Sequence, residues 1–443
     1  MIPVEREVLS RIKPTAEEDR KLMKTVDGLV KEVRAVAAEV GAHIGTKLVG
    51  SVAKSTHMKG PDIDLFMMFP ESTSLDDLTA LGLEIGRRIV KGKEHYAQHP
   101  YVRGEYAGYQ VDLVPCFMVK DPRKKMSAVD RTPFHTEFVI TNLPGRSRDQ
   151  VRLLKRFMKG IGCYGAEAKV QGFSGYLCEL LVILYGDLGG VLSAASQWKN
   201  GEKLHLPNHP GNEFDEPLTF IDPVDCGRNV ASAVSLDSLV TMIAAARAYM
   251  AEPGAQFFFP RAFRSWSADR LRAAAGERQD AFVAVSFEKL DLIDDVFYPQ
   301  IRKSVASMVS LLKRNEFDVV KTTLDVDDRV DVLIELESME LPRERVHRGP
   351  PVGTPNAHEF LAKWDSAGLS KPYKERGRWF VVIEREHPRA DALLAEKISS
   401  LTLGKDIKKL RSFEVSSGRK LVDDRRYARI LTKHLDERMP WKR

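Results

Sequence analysis

The chain has 443 residues, of which 43% are hydrophobic and 29% are charged, and its net charge is +6. This length and composition predict a packed soluble protein of roughly three domains. No apolar stretch reaches the ~20 residues of a membrane helix, and the charged N-terminal segment lacks the apolar centre of a signal peptide. Four widely spaced cysteines match neither a zinc pattern nor a disulfide framework, so we expect a cytoplasmic protein with free, mostly buried thiols.

The first predicted element is an amphipathic helix. Thr15 and Glu18 form a capping-box pattern at its start. Apolar residues then recur at helical spacing until Gly41, where the pattern ends. This helix therefore has one face that can pack on a sheet.

Residues 50–69 contain the strongest signal for chemistry. Gly50 and Ser51 predict a tight turn that aims backbone N–H groups at an anion. The short apolar run that ends at Phe69 is followed by a proline, which predicts a buried strand rather than a helix. Together with the metal site predicted from two acids in the same stretch, this phosphate site suggests nucleoside triphosphate chemistry.

Two acidic residues, Asp62 and Asp64, precede that apolar run. Side chains of a strand alternate between its faces, so the two carboxylates project on the same side. A hard divalent cation such as Mg²⁺ relieves their mutual repulsion because it binds oxygen ligands. Taken alone, Asp-x-Asp at a strand edge more often belongs to a solvated turn. A third carboxylate close by would favour a metal site instead.

The third carboxylate is predicted to lie on a neighbouring strand. A helix that starts after Ser74 and ends near Val90 is followed by strands that carry Tyr106 and Asp112. A lone acid among apolar neighbours is costly unless it is paired. If its strand lies beside the first, Asp112 completes a three-carboxylate cluster. These elements form an α/β layer on one sheet, which we place at residues 1–140.

Residues 141–257 are predicted to form a helical central domain. Arg152, Lys155, Arg156 and Lys159 recur at helical spacing, so one helix has a basic face. That face is either a solvated surface or a wall that binds triphosphate. The three consecutive phenylalanines that end this domain are expected in its core.

Residues 258–443 mix predicted strands and helices and end in one or two basic amphipathic helices. Residues 401–443 carry thirteen Lys or Arg against six Asp or Glu. Such an excess fits either a solvated face or a nucleic-acid surface. The fold class predicted for the whole chain is multidomain α+β.

Several segments, taken in order, resemble the nucleotidyltransferase superfamily that includes DNA polymerase beta, and within it the archaeal (class I) CCA-adding tRNA nucleotidyltransferases. The segments are Gly50–Phe69, His99–Val102, Val111–Cys116, Arg131–His135, Tyr164–Glu167, Gly172–Tyr176, Asp222–Asp225, Arg228–Val230 and Arg348–Val352. The first two acids specify only the superfamily, whereas the whole set specifies the branch. Asp62 is a departure, because archaeal members often have Glu there. Both are oxygen ligands, but aspartate reaches one methylene less far.

The resemblance implies a nucleotidyltransferase catalytic head, a helical neck, and a C-terminal α/β body and tail that bind tRNA. It implies template-independent addition of C, C and A to the 3′ end of tRNA from CTP and ATP in the cytoplasm, with Mg²⁺ as cofactor. The implied partners are tRNA, CTP and ATP, without a membrane. A homodimer is a further expectation.

The resemblance also implies roles for individual residues. Asp62 and Asp64 would hold two metal ions, and Asp112 would join them at the ion next to the attacking hydroxyl. The residues expected to bind the nucleotide are Gly50, Ser51, His99, Thr132, His135, Lys155, Tyr164 and Arg228. Judged from the sequence alone, the two histidines would more often be ordinary turn and core residues.

Three other functions compete with this interpretation. A poly(A) polymerase would share the acids and the neck. An enzyme that transfers a nucleotide to a small molecule would share the acids, but it has little use for a long basic third domain. A non-catalytic RNA-binding protein with a degenerate head belongs to a different class, and the three intact carboxylates argue against it.

Overall fold

A computed structural model describes residues 1–96, 100–122 and 126–443 of the chain. These residues form two compact units, one made of Met1–Ala262 with Arg438–Arg443 and the other of Phe263–Glu437. The division into three domains at residues 140 and 257 stays a prediction.

The first unit begins with an α/β part that contains the predicted sheet. Its elements are α1 (Pro3–Ile12), α2 (Ala16–Glu39), β1 (Gly45–Leu48), α3 (Gly50–Ala53), β2 (Ile63–Phe69), α4 (Leu75–Ile89), β3 (Lys91–Tyr96), β4 (Pro100–Tyr106) and β5 (Tyr109–Phe117). The helix prediction for α2 is confirmed together with its capping box: the Thr15 hydroxyl accepts from the Glu18 N–H, and the Glu18 carboxylate accepts from the Thr15 N–H.

The order of the strands in this sheet, β1-β2-β5-β4-β3, brings distant parts of the chain together. β2 and β5 are parallel neighbours, and their register places Asp64 directly opposite Asp112. Ile63 and Leu65 point into the core that α2 and α4 cover, so Asp64 projects from the other face of the sheet. A two-residue turn joins β4 to β5 and sets Arg103 opposite Asp112 on its other side.

A helical part completes the first unit. Its elements are α5 (Thr132–Asn142), α6 (Arg148–Ile161), α7 (Gly175–Tyr185), α8 (Leu188–Ala195), β6 (Glu202–Leu204), β7 (Leu218–Phe220) and α9 (Leu236–Ala251). Phe257 and Phe258 are buried in its core, as predicted for the phenylalanine triple. Trp441 stacks on Phe257 with ring centroids 5.5 Å apart.

The second unit is built around two sheets. Its elements are α10 (Ala268–Ala275), β8 (Phe282–Glu288), α11 (Asp294–Arg314), β9 (Val319–Val326), β10 (Arg329–Leu336), β11 (Glu344–Pro351), α12 (Asn356–Ala367), β12 (Tyr373–Glu375), β13 (Arg378–Glu384), α13 (Ala390–Lys397), β14 (Glu414–Ser417), α14 (Arg419–Asp423) and α15 (Ala428–Leu435). One sheet has the order β14-β8-β10-β9 and the other β11-β13-β12. The prediction that the last forty residues are helical is wrong for β14, because antiparallel pairing with β8 satisfies its backbone.

No single helix among the described residues is long and apolar enough to cross a membrane. Helices α7 and α8, which are bent relative to each other, would together meet the length and composition criteria for a membrane span. Both helices supply buried residues to the core of the first unit. All four cysteines are free; Cys116, Cys163 and Cys178 are buried and Cys226 is exposed. The prediction of free, mostly buried thiols is confirmed.

Helix α4 packs so closely on the sheet that Gly86 has no room for a side chain. A Cβ atom there would lie 2.6 Å from Cγ2 of Val102, a buried residue of β4. We expect Gly86→Ala to lower the free energy of unfolding by about 1–3 kcal/mol, the usual cost of overpacking. Urea unfolding of the variant and the parent measures this difference.

Gly28→Ala in α2 is the matched control. A Cβ atom at Gly28 would meet the Tyr106 hydroxyl at the ordinary contact distance of 3.7 Å. Helix propensity then decides the outcome, so this variant should be as stable as the parent or more stable by up to about 1 kcal/mol. Equal stability of the two variants would contradict the close packing of α4 on β4.

Candidate active site

One cavity in the first unit, with a volume of about 410 Å³, collects most of the residues singled out in the sequence. The predicted residues in its wall are Gly50, Ser51, Asp62, Asp64, Asp112, Lys155 and Tyr164. Thr132, His135 and Arg228 do not line this cavity. His99 lies outside the described residues.

The sheet brings the three carboxylates together around an arginine. Asp64 and Asp112 face each other across β2 and β5, and Asp62 precedes β2 with its side chain 47% exposed. Arg103 donates from one nitrogen to Asp62 Oδ2 at 2.6 Å and from another to Asp112 Oδ2 at 3.1 Å. A single guanidinium therefore bridges two of the three acids.

The electrostatics of the acids favour a further cation. Burial raises the pKa of Asp64 to about 7, and the charges of Asp112 and Asp62 add to the effect. Burial also raises the pKa of Asp112 to about 6, although the Arg103 charge opposes it. Carboxyls with raised pKa values hold their negative charge at a cost that a positive ion removes.

Two features of the site fit a divalent ion bound by these oxygens. Oδ1 of Asp112 is buried and has no hydrogen-bond partner among the described residues. A Cβ atom at Gly50 would lie 1.9 Å from Oδ2 of Asp64, and Gly50 has a φ of +69°. Only glycine suits that conformation without filling the space beside the carboxylate. The donor set therefore matches a hard, oxygen-binding ion.

A second group in the wall consists of buried charges. Glu179 accepts from Lys54 at Oε2 (2.6 Å) and from Lys155 at Oε1 (2.8 Å). The Thr56 hydroxyl donates to Glu179 Oε1 at 2.6 Å and accepts from Lys155 at 3.0 Å. Burial alone would raise the pKa of Glu179, but the charges of the two lysines outweigh it and hold that pKa low. This group of four residues is called the lysine clamp below.

The basic face predicted for α6 is not a solvated surface. Arg152 is buried and donates to the carbonyl oxygens of His57 and Ser55, each at 2.7 Å. Lys155 is buried in the lysine clamp, and Lys159 lines the cavity. These three positive charges therefore lie toward the loop that follows α3 and toward the cavity. Arg156 instead donates to the Phe258 carbonyl oxygen at 2.8 Å.

A second buried acid, Asp222, binds two of the predicted residues that lie outside the cavity wall, His135 and Arg228. Its Oδ2 is 2.9 Å from His135 Nε2 and accepts from Arg228 at 2.9 Å, while its Oδ1 accepts from the Tyr176 hydroxyl at 3.2 Å. Burial opposes ionisation, yet the hydrogen bond from His135 and the charge of Arg228 hold the pKa of Asp222 at about 2. The Tyr176 ring stacks on His135 and also lines the cavity.

Several of these side chains were not predicted as site residues. Arg103 could have been found by counting back from the turn between β4 and β5, which pairs it with Asp112. Glu179 is the one acid in an apolar helix, and a buried charge requires a partner. Lys54 and Asp222 lie in segments that carry the family resemblance, but nothing in their local sequence indicates the partners that the fold gives them, Glu179 and His135.

Three family models match successive parts of the chain. Residues 33–135 match the nucleotidyltransferase domain. Residues 149–259 match the second domain of tRNA nucleotidyltransferase, and residues 278–418 match the C-terminal domain of the CCA-adding enzyme. The predicted nucleotidyltransferase fold with mixed helices and sheets is therefore confirmed.

Curated relatives match along most of their length. The CCA-adding enzyme of Methanosarcina acetivorans is 40% identical over 432 residues, which cover 96% of this chain and 94% of the relative. The CCA-adding enzyme of Thermoplasma volcanium is 39% identical, with 94% and 95% covered. That of Halobacterium salinarum is 37% identical, with 90% and 89% covered.

The raised pKa of Asp64 predicts how the metal-free protein responds to pH. The folded carboxyl keeps its proton up to pH about 7, whereas an unfolded aspartate loses it near 3.9. This proton therefore adds stability that is complete below pH about 4 and is lost as pH rises through about 7. With a chelator present, Tm should fall more steeply between pH 4 and 7 in the parent than in Asp64→Asn.

Thermal unfolding at each pH, followed by circular dichroism, measures this difference. Asp76→Asn is the control, because it removes an exposed carboxylate from the first turn of α4. Its pH profile should follow that of the parent. An unchanged slope in Asp64→Asn would rule out proton uptake at that carboxyl.

Proposed function

The chain belongs to the class I, archaeal CCA-adding tRNA nucleotidyltransferases, and from that membership we propose how its cavity works. The activity is addition of C, C and A to the 3′ end of tRNA without a nucleic-acid template. The C-terminal match distinguishes it from a poly(A) polymerase or a small-molecule transferase. The observation that supports our assignment of the reaction site is the convergence of Asp62, Asp64 and Asp112 in one cavity wall.

Nucleotidyltransferase domains generally use divalent metal ions, and we infer that the ion is Mg²⁺ here. Asp62 and Asp64 would hold two ions, and Asp112 would join them at the ion nearest the attacking hydroxyl. The unpartnered Oδ1 of Asp112 and the space that Gly50 leaves beside Asp64 support this assignment. When bound, the ions would neutralise the triphosphate and lower the pKa of the primer hydroxyl.

The protein itself contributes orientation and fixed charge. Ser51 and Tyr164 line the cavity beside the acids, and Lys155 carries a point charge that suits a phosphate oxygen. Together they would align the α-phosphorus of the nucleotide with the 3′-hydroxyl of the tRNA. The bond to pyrophosphate then breaks as the new phosphodiester bond forms.

Arg228 is proposed to read the incoming base. Asp222 fixes both its guanidinium and the imidazole of His135, and the Arg228 side chain is still 31% exposed. Its other N–H donors form a rigid fork that can reach acceptor atoms on a base edge. Thr132 lies one turn before His135 on α5 and would contact the same nucleotide. The role of His99 stays a prediction.

The remaining assignments extend the family activity to this chain. We propose that CTP and ATP are the nucleotide substrates and that the enzyme acts on tRNA in the cytoplasm. A homodimer stays a prediction.

The activity is tested with a tRNA that lacks its 3′ CCA. We expect this RNA to gain two residues from CTP alone and CCA from CTP plus ATP, as resolved on a sequencing gel. Asp112→Ala should reduce incorporation by at least about a thousandfold, because an essential ligand is lost. Its affinity for tRNA, measured by gel shift, should remain unchanged.

Asp76→Asn serves again as the control and should add nucleotides at the parental rate. A long run of A from ATP with little use of CTP would instead indicate a poly(A) polymerase. Near-normal incorporation by Asp112→Ala would remove Asp112 from the metal site.

A basic segment near the end of the second unit is proposed to contact tRNA. Lys405, Lys408, Lys409 and Arg411 are all exposed. Reversing the charge of these four residues should weaken tRNA binding, because phosphate contacts release counterions. The slope of log affinity against log salt should become shallower by about one for each lost contact.

Reversing Lys21, Lys24 and Lys31, which are exposed on α2, provides a control that lowers the net charge similarly. Filter binding at several salt concentrations compares the two variants. Unchanged affinity and slope in the first variant would exclude the basic segment from the tRNA interface. An equal loss in both variants would indicate a general effect of net charge.

A further inference from the structure

We infer that Glu179 is a positioning residue that holds the Lys54 and Lys155 ammonium groups in place for the triphosphate of the incoming nucleotide. This inference rests on the proposed function, which places the nucleotide in the cavity that these residues line. Glu179 would not itself touch the nucleotide. It would act through the two lysines.

The geometry of the lysine clamp leaves donors free for an anion. An ammonium group has three N–H donors. Lys155 directs two of them at Thr56 Oγ1 and Glu179 Oε1, which leaves one. Lys54 directs one at Glu179 Oε2 and also lies over the Tyr176 ring at 5.6 Å, so two of its N–H groups have no hydrogen-bond acceptor among the described residues. Each carboxylate oxygen therefore fixes one lysine while N–H groups remain for phosphate oxygens.

The clamp joins parts of the first unit that are distant in the chain. Lys54 and Thr56 lie in the loop between α3 and β2, which leads directly to Asp62 and Asp64. Lys155 and Glu179 lie on α6 and α7 of the helical part. A displacement of Glu179 would therefore shift the lysines relative to the acidic residues.

Burial explains why a carboxylate is needed beside the lysines. Lys54, Lys155 and Glu179 are 7%, 2% and 1% exposed, so water screens little of the repulsion between the two ammonium groups. Without an anion between them they would repel each other and lose their common orientation. Glu179 supplies that anion before any nucleotide is bound.

A charge argument and a positioning argument give opposite predictions for Glu179→Gln. If only net charge mattered, removal of a carboxylate near a polyanion would strengthen nucleotide binding. If Glu179 positions the lysines, the same change would weaken binding, because the amide cannot hold both ammonium groups with its single oxygen. The sign of the change therefore distinguishes the two arguments.

The experiment measures binding of CTP to the full chain in Mg²⁺ without tRNA, so that no transfer occurs. Isothermal titration calorimetry gives the Kd of the parent, Glu179→Gln, Glu179→Asp and Glu137→Gln. We expect Glu179→Gln to raise Kd by about tenfold or more, the effect of losing one charged hydrogen bond. Glu179→Asp keeps the charge but reaches less far, so it should rescue part of the affinity.

Glu137→Gln is the matched control, because it removes a carboxylate that is 70% exposed on α5. Its Kd should equal that of the parent. In steady-state assays with tRNA, Glu179→Gln should raise KM for CTP more than it lowers kcat. A purely structural role would reduce thermal stability while leaving the Kd of the folded protein unchanged.

Two failures can be told apart. If the parent does not bind CTP, the proposed function of the cavity fails. If the parent binds CTP and folded Glu179→Gln binds it equally well or more tightly, the positioning role of Glu179 is overturned. Should Glu179→Gln not fold, Glu179→Asp provides the second test. Its shorter carboxylate cannot reach both ammonium groups as the glutamate does, so a Kd equal to that of the parent would likewise overturn the inference.

Discussion

The parallel pairing of β2 with β5 is the constraint on which the candidate active site depends. It sets Asp64 opposite Asp112 although 48 residues separate them in the chain. Adjacent carboxylates oppose folding through their repulsion and their burial, so the sheet must hold them together against that cost. The apolar side chains on the other face of β2 provide the packing that does so. Arg103 reduces the repulsion from the neighbouring strand.

The helical part repeats this charge arrangement twice with the signs exchanged: a buried carboxylate there lies between positively charged donors. Glu179 and Asp222 are buried acids, and each is surrounded by several donors that line or adjoin the cavity. Buried ion pairs contribute little net stability, because desolvation offsets most of their attraction. Their benefit here is orientation. The sheet presents negative charge to the cavity, whereas Lys54 in a loop and Lys155 on α6 present positive charge whose direction is fixed by Glu179.

Local signals in the sequence predicted elements such as α2 and β2 and singled out the three acids. The capping box of α2 and the apolar run of β2 act within a few residues, so they can be recognised in any context. The position of Asp112 beside Asp62 and Asp64 was predicted from the free-energy cost of burying an acid without a partner. Long-range pairing was harder to predict: β14 forms because β8 needs a partner, and Lys155 is buried because Glu179 lies on another helix. Helical periodicity locates a basic face, but it does not say whether that face meets water or a buried acid.

The stacking of Trp441 on Phe257 has a consequence for how this protein emerges from the ribosome. The two rings belong to the same core, yet Trp441 is synthesised 184 residues after Phe257. At ribosomal rates of roughly 5–20 residues per second, that interval is about ten to forty seconds. During this time the nascent helical part lacks one of its large aromatic side chains. The core of the helical part is therefore completed only after Trp441 has been synthesised.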